Sequence, residues 1–356
     1  MLGRGILIVA SGATVIFGSI QLGLLGQKKS VNEATADYAY ENHIKNAAYN
    51  GLQLGMEELG KDENWSATEA SPWTTTIDDV DVTVYYENLG MGATPLDADT
   101  VRVYSSALYK GESANLVSTY TRTPLDIVPE FNSALSLTTN KFKFNLLGGS
   151  TIRGNDASGV CTDKPGVIVK DLVSSTKVVL GAGLNIINIL STVTQIQIDP
   201  SISYDATASL VANLEGKPGV VNVNGTYNGN FGTAANPGVF FVDNYANVTS
   251  GVTSGYGIMI IRSGGELNYS GSTSVSTSLE FNGLVVFEDA LDFNGFNTPS
   301  VNGSVIVGSV GGSSLLDMYL GGGLDIQYDC SAQDHAKIAA ANLLKENKYK
   351  RLSTFE

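Results

Sequence analysis

The chain is poor in the residues that most protein chemistry relies on. Its 356 residues include two cysteines, two histidines and two tryptophans, and charged residues make up 16%, against roughly 25% in an ordinary soluble domain. Two cysteines exclude a four-thiolate zinc site. A site using both cysteines and both histidines lacks the close paired spacing of such sites, since only Cys330 and His335 stand near each other. There is no CxxCH for covalent haem, and neither His43 nor His335 has the HExxH spacing of a metalloprotease. A Ser-His-Asp triad would have to draw on one of those two histidines, and no GxSxG elbow occurs. Gly90-x-Gly92 and Gly181-x-Gly183 lack the third glycine and the Gly-Lys-Ser/Thr ending of phosphate loops, so both read as turns. Basic residues are scarce as well: 21 Lys and Arg against 35 Asp and Glu give a net charge of −14, which excludes nucleic acid as an expected partner. The carboxylate groups Glu288, Asp289, Asp292 and Asp97, Asp99 have neither EF-hand nor nonapeptide calcium spacing and read as solvated loop acids. No catalytic residue, cofactor or metal is expected, and the chain does not read as an enzyme.

What is abundant is apolar surface and glycine: 43% of residues are hydrophobic and 40 are glycine. The apolar content excludes a wholly disordered chain. Its densest stretch comes first. Gly5 to Gln27 contains no charged residue, with Arg4 before it and Lys28 and Lys29 after it. As a helix, Ile6 to Gly26 spans about 32 Å, the thickness of a bilayer core. Beyond the lysine pair, Ile44, Ala48, Leu52, Met56 and Leu59 recur at helical spacing with no proline before Pro72. The pattern predicts one helix from about residue 4 to about residue 60, apolar all round in its first half and amphipathic in its second. Ala10, Thr14 and Gly18, and separately Ser19 and Gly23, form small-xxx-small ladders of the kind that let helix backbones approach closely.

The opening Gly3-Arg4-Gly5, about twenty apolar residues and a polar-amphipathic continuation into a β domain resemble the type IV pilin superfamily. With the stretch NAAYNGLQLGMEEL at 46–59, they are similar to its PilX-type, pilin-like proteins. The likeness covers the first sixty residues, and the remainder only in style. In that family a leader is cut after a glycine, and the exposed helix serves as membrane anchor and then as filament core. Gly5 matches that glycine, which makes Ile6 the first mature residue; a mature start at Met1 and an uncut chain stand beside this reading. The family's glutamate at the fifth mature position is absent, being Ala10 from one start and Gly5 from the other. The resemblance implies a structural subunit, membrane-inserted before assembly, that joins copies of itself into an extracellular filament with the help of a pilus assembly machinery. Ile6, Ala10, Thr14, Gly18, Ser19, Gly23 and Leu25 would form the filament-core helix. The rival expectation is a surface adhesin or glycan-binding protein anchored by one span that never polymerises.

The rest of the chain reads as strands. Alternation at Ile77, Val80, Val82 and Val84, at Val101 to Tyr104 and at Leu116 to Tyr120 predicts a small antiparallel module. From about residue 127, short apolar runs are introduced by Gly219, Gly238, Gly257, Gly283, Gly303 and Gly323, a period of about twenty residues that points to a β-solenoid, with an ordinary β-sandwich as the alternative. Residues 332–349 read as a short helix followed by a basic end. The segment from Lys337 holds five basic and two acidic residues (+3), leaving −17 for the rest of the chain. Cys161 and Cys330 are a disulfide candidate tying the start of the β region to its end, with two free thiols as the alternative. The expected class is α+β, mainly β. Its regions are 1–60 (helix), 61–126 (small antiparallel β module), 127–330 (glycine-rich, solenoid-like) and 331–356 (C-terminal helix and basic tail).

Overall fold

The computed structural model describes residues 2–61, 65–89, 96, 98–243, 247–249, 254–262, 268–270, 279–288, 300–308, 316–321, 323–345 and 349–356; for 2–10, 247–249, 268–270, 316, 317 and 319 it describes the backbone only. The chain is α+β, mainly β, and divides into two compact units. One comprises Met1–Met91, Asp99–Arg122 and Asn347–Glu356, the other Gly92–Ala98 and Thr123–Glu346.

The first unit holds α1 (Leu2–Lys61), β1 (Trp73–Ile77), β2 (Val80–Asn88), β3 (Asp99–Tyr109) and β4 (Glu112–Arg122). The helix runs unbroken through both halves read from the sequence. Two hairpins close in two residues each. Asp78 and Asp79 join β1 to β2 with φ of 49° and 65°, and Lys110 and Gly111 join β3 to β4 with φ of 50° and 90°. Positive φ at both central positions is the type I′ geometry that matches strand twist. Valines 80, 82 and 84 of β2, with Val101, Val103 and Ala107 of β3, form the sheet's apolar face. Ile44, Ala47, Ala48, Leu52 and Leu59 of α1 bury against it. The helix can lie this close because Gly51 and Gly55 face the sheet. A Cβ at Gly51 would sit 2.4 Å from Ser105 Oγ and 2.5 Å from Val82 Cγ1, and one at Gly55 would sit 2.7 Å from Val84 Cγ1.

The second unit contains β5 (Leu135–Leu137), β6 (Phe142–Leu146), β7 (Thr151–Arg153), β8 (Val167–Val169), α2 (Leu172–Ala182), β9 (Ile189–Leu190), β10 (Ile196–Ile198) and α3 (Asp205–Leu214). It continues through β11 (Val221–Val223), β12 (Thr226–Tyr227), β13 (Gly238–Val242), β14 (Asn247–Thr249), β15 (Ser254–Arg262) and β16 (Asn268–Ser270). The last elements are β17 (Glu280–Glu288), β18 (Ser300–Gly308), β19 (Leu316–Leu320), β20 (Asp325–Tyr328) and α4 (Ser331–Leu343). β21 (Lys350–Phe355) then pairs antiparallel with β4 as the fifth strand of the first unit's sheet. The helix expected over 332–349 therefore stops at Leu343, and the basic end is a strand.

Among the described residues, every strand pair of the second unit is parallel. Parallel strands are covered on both faces, and the burial of β13 from Val239 to Val242 without alternation reflects this. Gly238, Gly257, Gly283 and Gly303 stand in one register line across four strands. The φ of Gly283 is 150°, and a Cβ there would lie 1.9 Å from the carbonyl oxygen of Gly257. Only glycine fits, so the sequence period marks a line of backbone contact. Gly323 departs from the period, because the partner of Gly303 is Tyr328. Ala332, Ala336, Ala339 and Ala340 of α4 are buried in the core; at the glycine line, a Cβ on Gly257 would meet Ala339 Cβ at 3.1 Å.

Beyond β18 the ladder splits. Ser300–Gly303 pairs with β20, whereas Val305–Val307 pairs with β5. One strand position is thus filled by two pieces of chain from opposite ends of the unit. Two helices, α2 and α3, also interrupt a region whose composition reads as strands throughout. Asp171 caps α2 by accepting the Ser174 N–H at 2.7 Å.

Candidate functional site

The half of α1 that leaves the sheet is the chain's most distinctive surface. Val15, Ile16, Phe17, Ile20, Leu22, Leu24 and Leu25 point in all directions around the helix, and each is at least half exposed, Leu22 at 72%. Burying an aliphatic side chain is worth about 1.5–3 kcal/mol. Seven left in water forgo on the order of 10 kcal/mol, comparable to the total stability of a domain. Gly12, Gly18, Gly23 and Gly26 lie in the same stretch with no heavy atom within 4 Å of an added Cβ, so their faces are open. Ser19 donates its hydroxyl to the Val15 carbonyl at 2.6 Å, and Thr35 donates to Val31 at 2.7 Å. The helix's own backbone therefore satisfies these hydroxyls, which lets them face an apolar neighbour.

Of the residues expected to form the filament core, Thr14, Gly18, Ser19, Gly23 and Leu25 stand on this exposed half. The side chains of Gly5, Ile6 and Ala10 lie outside the described residues. Among the described residues, whose side chains begin at Ser11, no helical stretch is long and apolar enough to cross a membrane; the apolar run in the sequence starts at Ile6. Where the helix reaches the sheet, Tyr40, Ile44, Tyr109, Ala114 and Leu116 line a cleft of about 630 Å³. Lys110 sits over the Tyr40 and Tyr109 rings at 5.2 and 5.0 Å. Lys45 pairs with Glu41 at 3.0 Å and Glu356 at 3.4 Å, and hydrogen bonding to these two carboxylates raises its pKa.

In the second unit Cys161 and Cys330 form a disulfide across 169 residues. Asp156 organises the loop around it. Its Oδ1 accepts the N–H of Cys330, and its Oδ2 accepts the N–H groups of Val160 and Cys161, each at 2.9 Å. The Ser158 hydroxyl donates to Oδ2 at 2.6 Å. Burial pushes this carboxyl's pKa up, but the bonds from Ser158, Cys330, Cys161 and Val160 together outweigh it and hold the pKa below the ordinary carboxylate value. Donor atoms of Asp156, Cys161 and Cys330 lie within 4.8 Å of one another. The two sulfurs are bonded to each other, so no thiolate is on offer to a metal.

The remaining candidates are placed singly. His43 Nε2 meets the Asp78 carbonyl at 3.1 Å, and His335 packs edge-on against Tyr256 at 5.0 Å. Glu288 is buried and accepts the Tyr204 hydroxyl at 3.1 Å, while Asp289 and Asp292 lie outside the described residues. Asp99 pairs with Arg122 at 3.5 Å, and Asp97 lies outside the description. No protein-family model, curated protein or solved structure matches this chain.

Proposed function

We propose that the chain is a pilin-like structural subunit that polymerises through the first half of α1 into an extracellular filament and displays its β-rich units on the surface. The observation that carries this reading is the all-round apolar exposure of the helix's first half, beside a second half whose apolar face from Ile44 to Leu59 is buried on the unit's own sheet. Before assembly that half would rest in the inner membrane. On assembly by the pilus machinery it would move from lipid to helix-helix contacts among copies of the chain without meeting water. Thr14 and Gly18, and Ser19 and Gly23, would be the close-approach positions, with processing at Gly5 and Ile6. In the second unit we read the parallel ladders as successive turns of a β-solenoid. Three features support this: the glycine register line, the second parallel set β12-β14-β16, and the third, β6-β19.

The test is electron microscopy of sheared cell surfaces. Cells making the parent chain are expected to yield helical filaments that contain it, and Gly23→Glu, which puts a charge on an open helix face, is expected to abolish them. Normal filaments from Gly23→Glu would overturn the core assignment. The second reading, an anchored adhesin that does not polymerise, draws on one observation. Asn302 reaches across the strands to Glu280 at 2.7 Å and Asn282 at 3.1 Å, forming an outward polar row of the kind that meets sugar hydroxyls. It predicts surface display without filaments.

A further inference from the structure

α2 inverts the usual order of an amphipathic helix. Its inward residues are small: Ser174, Val178 and Ala182 are buried, and a Cβ on Gly181 would lie 1.7 Å from the Phe144 carbonyl oxygen, so helix and β6 are in backbone contact. Its outward residues are large and aliphatic. Leu172 is 70% exposed, Val173 63% and Leu180 77%; on the following 3₁₀ turn Gly183–Asn188, Leu184 is 93% exposed and Ile187 70%. These five side chains make an outward aliphatic ridge, interrupted by Thr176 on the helix and by the change of backbone direction at Gly183, whose φ is 52°. Charge changes sign here too. Lys170 precedes α2, Lys177 lies on it, and Lys141 and Lys143 stand at β6, which packs against it; with Asp171 these carry a net +3. The chain as a whole carries −14, which leaves −17 elsewhere.

We propose that α2 and its 3₁₀ turn are a membrane-surface docking element, which seats the ridge in the acyl boundary of an anionic bilayer while the neighbouring lysines meet lipid headgroups. An aliphatic ridge with a local basic surplus is the pattern of interfacial helices. Protein interfaces are instead anchored by Trp, Tyr and Arg seated in pockets, and the ridge has none of these. A leucine at 93% exposure protrudes, which suits a deformable medium better than a complementary wall. This inference goes beyond the filament reading and does not depend on it.

Because α1 is itself expected to partition into vesicles, the readout has to be local. The full chain carrying Leu184→Trp is mixed with phosphatidylglycerol–phosphatidylcholine vesicles bearing brominated acyl chains, and the emission of the parent chain, from Trp65 and Trp73, is subtracted. The added emission is expected to shift to the blue and be quenched by bromine. Lys170→Gln should weaken the quenching titration roughly fivefold, the share of one surface lysine. Hydrogen exchange of the unsubstituted chain should show vesicle-dependent protection over residues 172–188. The proposal is overturned by emission that stays open to iodide on vesicles, by equal quenching in pure phosphatidylcholine, or by a concentration-dependent blue shift without vesicles, which would make the ridge a contact between copies.

Discussion

Gly283 carries the sharpest constraint on a single residue. At its φ of 150° an L side chain is strained, and its Cβ would meet the Gly257 carbonyl oxygen at 1.9 Å. Gly283→Ala is therefore expected to cost about 3 kcal/mol or more, read as a lower urea midpoint for the second unit. His335 sets a pH dependence. Burial lowers its pKa below the ordinary 6.5, opposed in part by Asp334 and Asp329. The unfolded chain then takes up this proton at a higher pH than the folded one does. Stability from this group is complete above pH 6.5 and falls as the pH drops from there through the folded value. A His335→Phe variant should flatten the slope of stability against pH in that window. At this scale the glycine period was legible because steric exclusion leaves a mark at each position. The role of Asp156 was not: Ser158, Val160 and Cys161 are its neighbours in sequence, but Cys330, the partner that ties the loop to the far end of the unit, arrives only through the fold.

Among the elements, β21 changes the meaning of the C-terminal end. Lys350 to Phe355 pairs with β4 across a bulge between Arg351 and Ser353, Ser118 donates to the Ser353 carbonyl at 2.8 Å, and Arg351 bonds the Tyr49 hydroxyl of α1. Truncation after Lys345 should destabilise the first unit by about 2–4 kcal/mol. It should appear as an earlier tryptophan-fluorescence transition rather than as the mild loss of a solvated tail. Pairing over more than two hundred residues leaves only a weak alternation in KRLSTF, too faint to separate from a charged end. α1 and the antiparallel hairpins were legible, because helical period and strand alternation are local. α2 had a local signal as well, Asp171 before an apolar run, but strand-like composition on both sides of it hid the change of period.

The whole molecule reports on its two units separately. Both tryptophans, Trp65 and Trp73, belong to the first unit, whereas the disulfide lies within the second. In the chain-entropy view a crosslink over so long a loop stabilises by about 5 kcal/mol. Cys330→Ser should therefore lower the melting of β signal in circular dichroism while leaving the tryptophan transition in place; a shared shift would show that the two units unfold as one. The cysteine pair and the glycine line from Gly238 to Gly303 were legible at this scale, but the order of the strands was not. Nothing local in LSL at 135–137 says that its neighbour in the sheet is Val305–Val307.

That split ladder also has a consequence in time. A chain made from its N-terminus completes β5, β8 and β10 early, yet the strand that must lie against β5 emerges some 170 residues later. Until then one edge of the early sheet is unpaired, and pairing at such separation is intrinsically slow and prone to aggregation. The second unit is therefore a late folder by construction: its first-made and last-made parts complete each other, and neither finishes alone.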